Sequence, residues 1–93
     1  MTVALMWEAK AAEGRGPELL AWARDRAPEH RAPEHQYLEG EPLRREHFSA
    51  PGGRVLVITW WDGAYDDELP ELPDPAPELI ARPVHRWRFE QVP

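Results

Sequence analysis

His85 stands in Val84-His85-Arg86-Trp87-Arg88-Phe89-Glu90. In an extended segment alternate side chains share a face, so its imidazole would fall in line with Trp87 and Phe89. Imidazole titrates near neutrality, which suits a general acid or base, or a group that orients a bound aromatic ligand. Trp7, Trp60, Trp61 and Trp87 are the residue type that lines a pocket for a flat ligand. Their faces stack and the indole N–H can orient a polar group. Tyr65 and Asp66 follow the Trp60-Trp61 pair closely enough to reach the mouth of such a pocket. His85 is therefore the catalytic candidate, and Trp7, Trp60, Trp61, Tyr65 and Trp87 are the ligand-binding candidates. Each has a plainer role to weigh against this one. A strand-end histidine without an identified partner is more often solvated or hydrogen-bonded. Tryptophans in a chain with few other large side chains more often build the core and an oligomer interface. Tyr65 and Asp66 read equally as solvated loop residues.

Other chemistry is excluded or disfavoured. Arg26-Ala27-Pro28-Glu29-His30 is repeated at once as Arg31-Ala32-Pro33-Glu34-His35. Its histidines and glutamates resemble a metal set, but the histidines are five apart with Pro33 between them. One helix face would need i, i+3 or i+4 spacing, so no metal is expected, and the repeat reads as a duplication in a surface loop. His47 lies in a charged segment and reads as exposed. There is no cysteine, hence no disulfide or thiolate site. No Gly-rich phosphate loop or nucleophile elbow occurs, and no cofactor is expected. The net charge of −6 argues against nucleic acid as a partner. No apolar run approaches the ~20 residues of a membrane span. The N-terminus lacks a basic region and reaches Glu8 early, a poor secretory signal, so a cytoplasmic location is expected.

The elements that would position these side chains fit one domain over residues 1–93. Arg54 to Asp62 has an unbroken apolar and β-branched core between Pro51-Gly52-Gly53 and Gly63, and predicts a central strand apolar on both faces. Thr2 to Lys10 predicts a second such strand, turning polar at Glu8. Pro17 to about Arg26 predicts an amphipathic helix, with proline at its first position and Leu19, Leu20, Trp22 and Ala23 on one face. Leu43 to Ala50 predicts a charged edge strand, joined to the central one by the Pro-Gly-Gly turn. Tyr37 and Leu38 are possible core anchors ahead of it. Asp62 to Pro75, acidic and proline-rich, predicts a solvated loop. Asp74 would cap a short helix from Pro75 to Arg82. Val84 to Val92 predicts a last strand whose Arg86, Arg88 and Glu90 form a wet face.

This order, β-α-β-β-α-β with two doubly apolar and two polar-sided strands, predicts an α+β, ferredoxin-like fold. The expected sheet is four-stranded and antiparallel in the order 4-1-3-2, with two short helices on one face. The other face also carries large apolar residues, and a second copy covering it would make a C2 homodimer. Val3-Ala4-Leu5-Met6-Trp7-Glu8-Ala9 followed by a helix, Arg54 to Trp61, and Val84 to Glu90 together resemble the dimeric α/β-barrel superfamily. That group includes antibiotic-biosynthesis-monooxygenase-like and stress-responsive barrel proteins, and the chain is similar to its small actinobacterial members. The resemblance spans most of the chain and rests on element order and strand patterning, with no catalytic motif of the family in view. It implies a sheet-to-sheet dimer. The expected function is that of a ligand-binding or accessory protein. The alternative is a cofactor-independent monooxygenase or isomerase acting on a small aromatic substrate in a Trp-lined pocket, with His85 as its acid/base.

Overall fold

In the computed structural model of the protein, which describes residues 1–25 and 42–93, strand β1 (Thr2–Lys10) runs through the middle of a four-stranded antiparallel sheet. It pairs with β3 (Arg54–Asp62) on one side and β4 (His85–Glu90) on the other, while β2 (Arg44–Ala50) pairs with the outer side of β3. The order is thus β2-β3-β1-β4, which reads β4-β1-β3-β2 from the opposite edge. Among the described residues one α-helix, α1 (Gly16–Asp25), lies between β1 and β2, so the class is α+β. The duplicated pentapeptide, the metal set considered within it, and Tyr37 and Leu38 fall outside the described residues.

Strand alternation divides the sheet into two unlike faces. Val3, Leu5, Trp7 and Ala9 of β1 and Val55, Val57, Thr59 and Trp61 of β3 point to one side, and all are buried. Helix α1 covers half of that side: Leu19 and Ala23 pack with Trp7, Ala9, Val55 and Val57, and the Trp22 ring stacks on Trp7 at 5.7 Å between centroids. Trp61 donates its indole N–H to the Thr59 hydroxyl at 2.9 Å, which satisfies both polar groups away from water.

The remaining half of that side is covered by the acidic, proline-rich segment, which corrects the expectation of a solvated loop. Leu69 packs on Val3, Leu5 and Trp61, and Leu72 joins the cluster around Trp7. The arginine face of β4, expected to be wet, lies under this segment and straps it down. Arg88 donates to the carbonyls of Tyr65 at 2.6 Å and Asp67 at 2.8 Å and pairs with Glu71. Arg86 donates to the Leu72 carbonyl and pairs with Asp74. The acidic side chains thus answer two cations of the sheet itself.

The second helix is also corrected. Only a single 3₁₀ turn, Pro77–Leu79, forms where a helix from Pro75 to Arg82 was expected. Pro77 denies its predecessor the helical region, and Ala76 sits at φ −57°, ψ 138°. At the β2–β3 turn Gly52 and Gly53 both take positive φ, 86° and 76°, a geometry that residues with a side chain rarely adopt.

No described element lies across the other sheet face. Ala4, Met6, Leu56, Ile58 and Trp60 are half-buried there, while Phe48, Trp87 and Phe89 remain exposed, Phe89 at 55%.

Candidate functional site

Glu8 is the anomaly of the open face. As an even-numbered residue of β1 it points away from α1, between its register partners Leu56 of β3 and His85 of β4. It is nevertheless only 6% exposed. An isolated buried carboxylate costs several kcal/mol, so it needs cationic partners. Two come from opposite directions. Arg54 opens β3 and donates its Nε–H to Oε2 at 3.1 Å. Arg82 donates from Nη2 to Oε1 at 2.8 Å and Oε2 at 2.9 Å.

The 3₁₀ turn explains how Arg82 arrives there. Its backbone continues the edge of β1: the Ala12 N–H donates to Leu79 O at 2.9 Å, and the Ala81 N–H donates to Lys10 O at 2.8 Å. Ala11 and Ile80 form an antiparallel bridge between these bonds. The next residue, Arg82, is thereby placed beside Glu8. Burial by itself would push the Glu8 carboxyl up, but the hydrogen bonds and charges of Arg82 and Arg54 outweigh it, and the group is held below the usual 4.5. Glu8 is therefore a fixed anion and a weak base.

His85 lies with Nδ1 3.5 Å from Glu8 Oε1. That separation is long for a directed hydrogen bond, and the imidazole is about half exposed. The His85 ring meets Trp87 edge-on at 5.6 Å. A concavity of about 460 Å³ opens beside them. Its polar end is Glu8, Arg54, Arg82 and His85; its apolar wall is Met6, Phe48, Leu56 and Trp87.

Of the residues singled out from sequence, the structure brings His85 and Trp87 together in this concavity. Trp60 shares their sheet face but is not among the residues lining it, and the Arg44 guanidinium sits 4.7 Å from its ring centroid. Trp7 and Trp61 project to the opposite side as core residues, and Trp7 borders a smaller cleft of about 280 Å³ beneath the strapped segment. Tyr65 belongs to that segment and is held through its carbonyl by Arg88. The four tryptophans and Tyr65 are thus distributed over both faces and do not line one pocket.

His47, expected to be exposed, is half-buried between α1 and β2. Burial and the charges of Arg45 and Arg24 lower its pKa below 6.5, against the opposing hydrogen bond to Ala23. Its Nε2 has no hydrogen-bond partner among the described residues. No group of three or more His, Asp or Glu side chains among the described residues is arranged to hold a metal ion. No helix among them is long and apolar enough to cross a membrane.

Sequence reasoning missed Glu8, Arg54 and Arg82 as site residues. One signal was present: an acidic residue inside an otherwise apolar central strand requires a partner. The site defines a class, an α+β sheet protein with one covered face and a second face, crossed by no described element, that holds a recessed carboxylate–arginine cluster. Compared with known protein families, curated proteins and solved structures, the chain finds no match.

Proposed function

We propose that the protein is a small cytoplasmic ligand-binding or accessory protein of the dimeric α/β-barrel type, in which two copies face each other through their open sheets. The observation that carries this reading is the sheet face that no described element covers. Phe48, Leu56, Ile58, Trp60, Met6, Trp87 and Phe89 form a continuous apolar surface on a chain whose opposite face is already filled. Surfaces of this kind on soluble proteins mark interaction sites. The sheet order and the β-α-β-β-turn-β succession support a ferredoxin-like unit whose second helix is reduced to one turn. A second sheet laid on the first would close the concavity at Trp87 into a chamber for a small aromatic ligand.

Native mass spectrometry of the purified protein tests this. A dimer is the expected result, and retained small-molecule mass would identify the ligand. A bare monomer at micromolar concentration would defeat the proposal.

A second reading rests on His85, which borders the same concavity near a carboxylate. There the protein is a cofactor-independent monooxygenase or isomerase with His85 as acid/base. The binding reading is preferred because the group nearest His85, Glu8, is already committed to two arginines. Turnover of a bound aromatic that is lost in His85→Gln, with binding retained, would favour the enzyme instead.

A further inference from the structure

The polar end of the concavity carries one cation more than its single carboxylate neutralises. Glu8 is nine-tenths buried, and both of its oxygens already accept hydrogen bonds from the two arginines. Arg82 spends Nη2 on both of those oxygens and directs Nη1 to the Pro83 carbonyl at 3.4 Å. Arg54 spends only Nε, and no described residue holds its two terminal nitrogens. Two arginines against one glutamate leave a net charge of +1 at this end, and Arg54 holds the larger share of the unspent donors. Both arginines and the glutamate line the cavity, whose other wall is Met6, Phe48, Leu56 and Trp87.

We infer that this concavity receives a small aromatic or apolar monocarboxylate, whose anion meets the terminal nitrogens of Arg54 while its ring lies against Trp87 and Phe48. The inference deepens the binding reading above and rests on it. A guanidinium presents a planar fork that matches a carboxylate, and such a bond is about twice as strong as one between neutral partners. The Glu8 carboxylate has a positioning role: it holds Arg54 by Nε and turns the free edge outward. A dicarboxylate or phosphate would exceed the local charge, and a neutral aromatic would leave the terminal nitrogens of Arg54, whose side chain is 54% exposed, to water and gain nothing from their charge.

The test titrates 2-naphthoate and its neutral counterpart 2-naphthamide into the whole protein. Calorimetry reads affinity, and the Trp87 indole N–H resonance reports the place of binding. The expected result is that naphthoate binds about ten times more tightly than naphthamide, with the Trp87 signal shifting in both titrations. Arg54→Gln should bring the two affinities to within about twofold. Arg54→Lys, which keeps the charge, should retain part of the preference, and it serves if Arg54→Gln lowers the melting temperature. Arg24→Gln, an exposed arginine on α1 that does not line this concavity, should leave the preference unchanged. Equal affinities, or a preference that survives Arg54→Gln, would overturn the monocarboxylate inference while leaving a neutral-ligand site standing. Binding of neither compound, or binding without a Trp87 shift, would overturn the inference and the binding reading at this concavity together.

Discussion

Arg82 reaches Glu8 across 74 residues of sequence and holds both of its carboxylate oxygens from a single nitrogen, at 2.8 and 2.9 Å. The contact ties the segment after the 3₁₀ turn to the central strand, and it keeps a buried anion on the sheet face that nothing described covers.

This pair has a consequence for acid stability. The Glu8 pKa in the fold lies below its ordinary 4.5. The unfolded chain therefore binds the proton first as pH falls, and the stabilisation is complete above 4.5 and lost through the lower, folded value. Glu8→Gln should destabilise the protein at neutral pH by about 1–3 kcal/mol and flatten the decline at acid pH. Urea unfolding midpoints at about pH 6 and about pH 3 check both effects. Equal pH slopes in the two proteins would sink the assignment.

The two sheet faces should respond oppositely to the same substitution. Ile58→Arg lies on the open face and should leave a folded monomer in sedimentation experiments. Val57→Arg, one residue earlier and 1% exposed, should prevent folding. Burial of an unpaired charge there costs far more than the chain can spare.

Tryptophan substitutions make a graded version of the same test. Trp7→Ala removes a ring stacked on Trp22 in the core and should cost about 3–5 kcal/mol. Trp87, 44% exposed, should cost the isolated chain less than about 1.5 kcal/mol. Calorimetric melting at low protein concentration distinguishes them, and similar losses would mean that the open face is covered in the monomer.

Arg88 is expected to be worth more than a surface charge usually is, because it serves two carbonyls and Glu71. Arg88→Ala should lower stability by about 1–2 kcal/mol and speed proteolysis between Tyr65 and Leu72. An unchanged cleavage rate would show that Leu69 and Leu72 hold the segment without the strap.

His47 should confer a separate pH dependence. Its folded pKa is below 6.5, so between that lower value and 6.5 the unfolded chain binds more protons. Stability therefore rises with pH across that window and is complete above 6.5. His47→Gln should remove this part of the slope, as read by urea midpoints at about pH 5 and about pH 7.5.

The strand limits were legible because their signals are local. The apolar run between glycines in Arg54–Asp62 and the alternation in Thr2–Lys10 belong to contiguous residues, and both strands form over those ranges. The one described α-helix begins at Gly16, a residue earlier than expected, with Pro17 at its second position, still within the first turn, where a backbone N–H has no intrahelical partner. The last segment misled for a local reason that was also available: Pro77 bars Ala76 from the helical region, and only one 3₁₀ turn survives. The acidic stretch misled for a different reason. Charge density reads as solvation until the facing residues are known, and here the facing residues were Arg86 and Arg88.

By itself, the sequence determined the α+β class, the position of each strand and the two-sided apolar character of β1 and β3, since backbone periodicity and turn chemistry act over a few residues. Only the tertiary structure decided which tryptophans became core and which stayed open, because a strand's alternation defines two faces without saying which one the helix will cover. It alone also made the site. Glu8, Arg54, Arg82 and His85 are scattered through the chain, and they converge because antiparallel pairing and the 3₁₀ turn lay their backbones side by side. A buried charge then selects its partners by proximity in space.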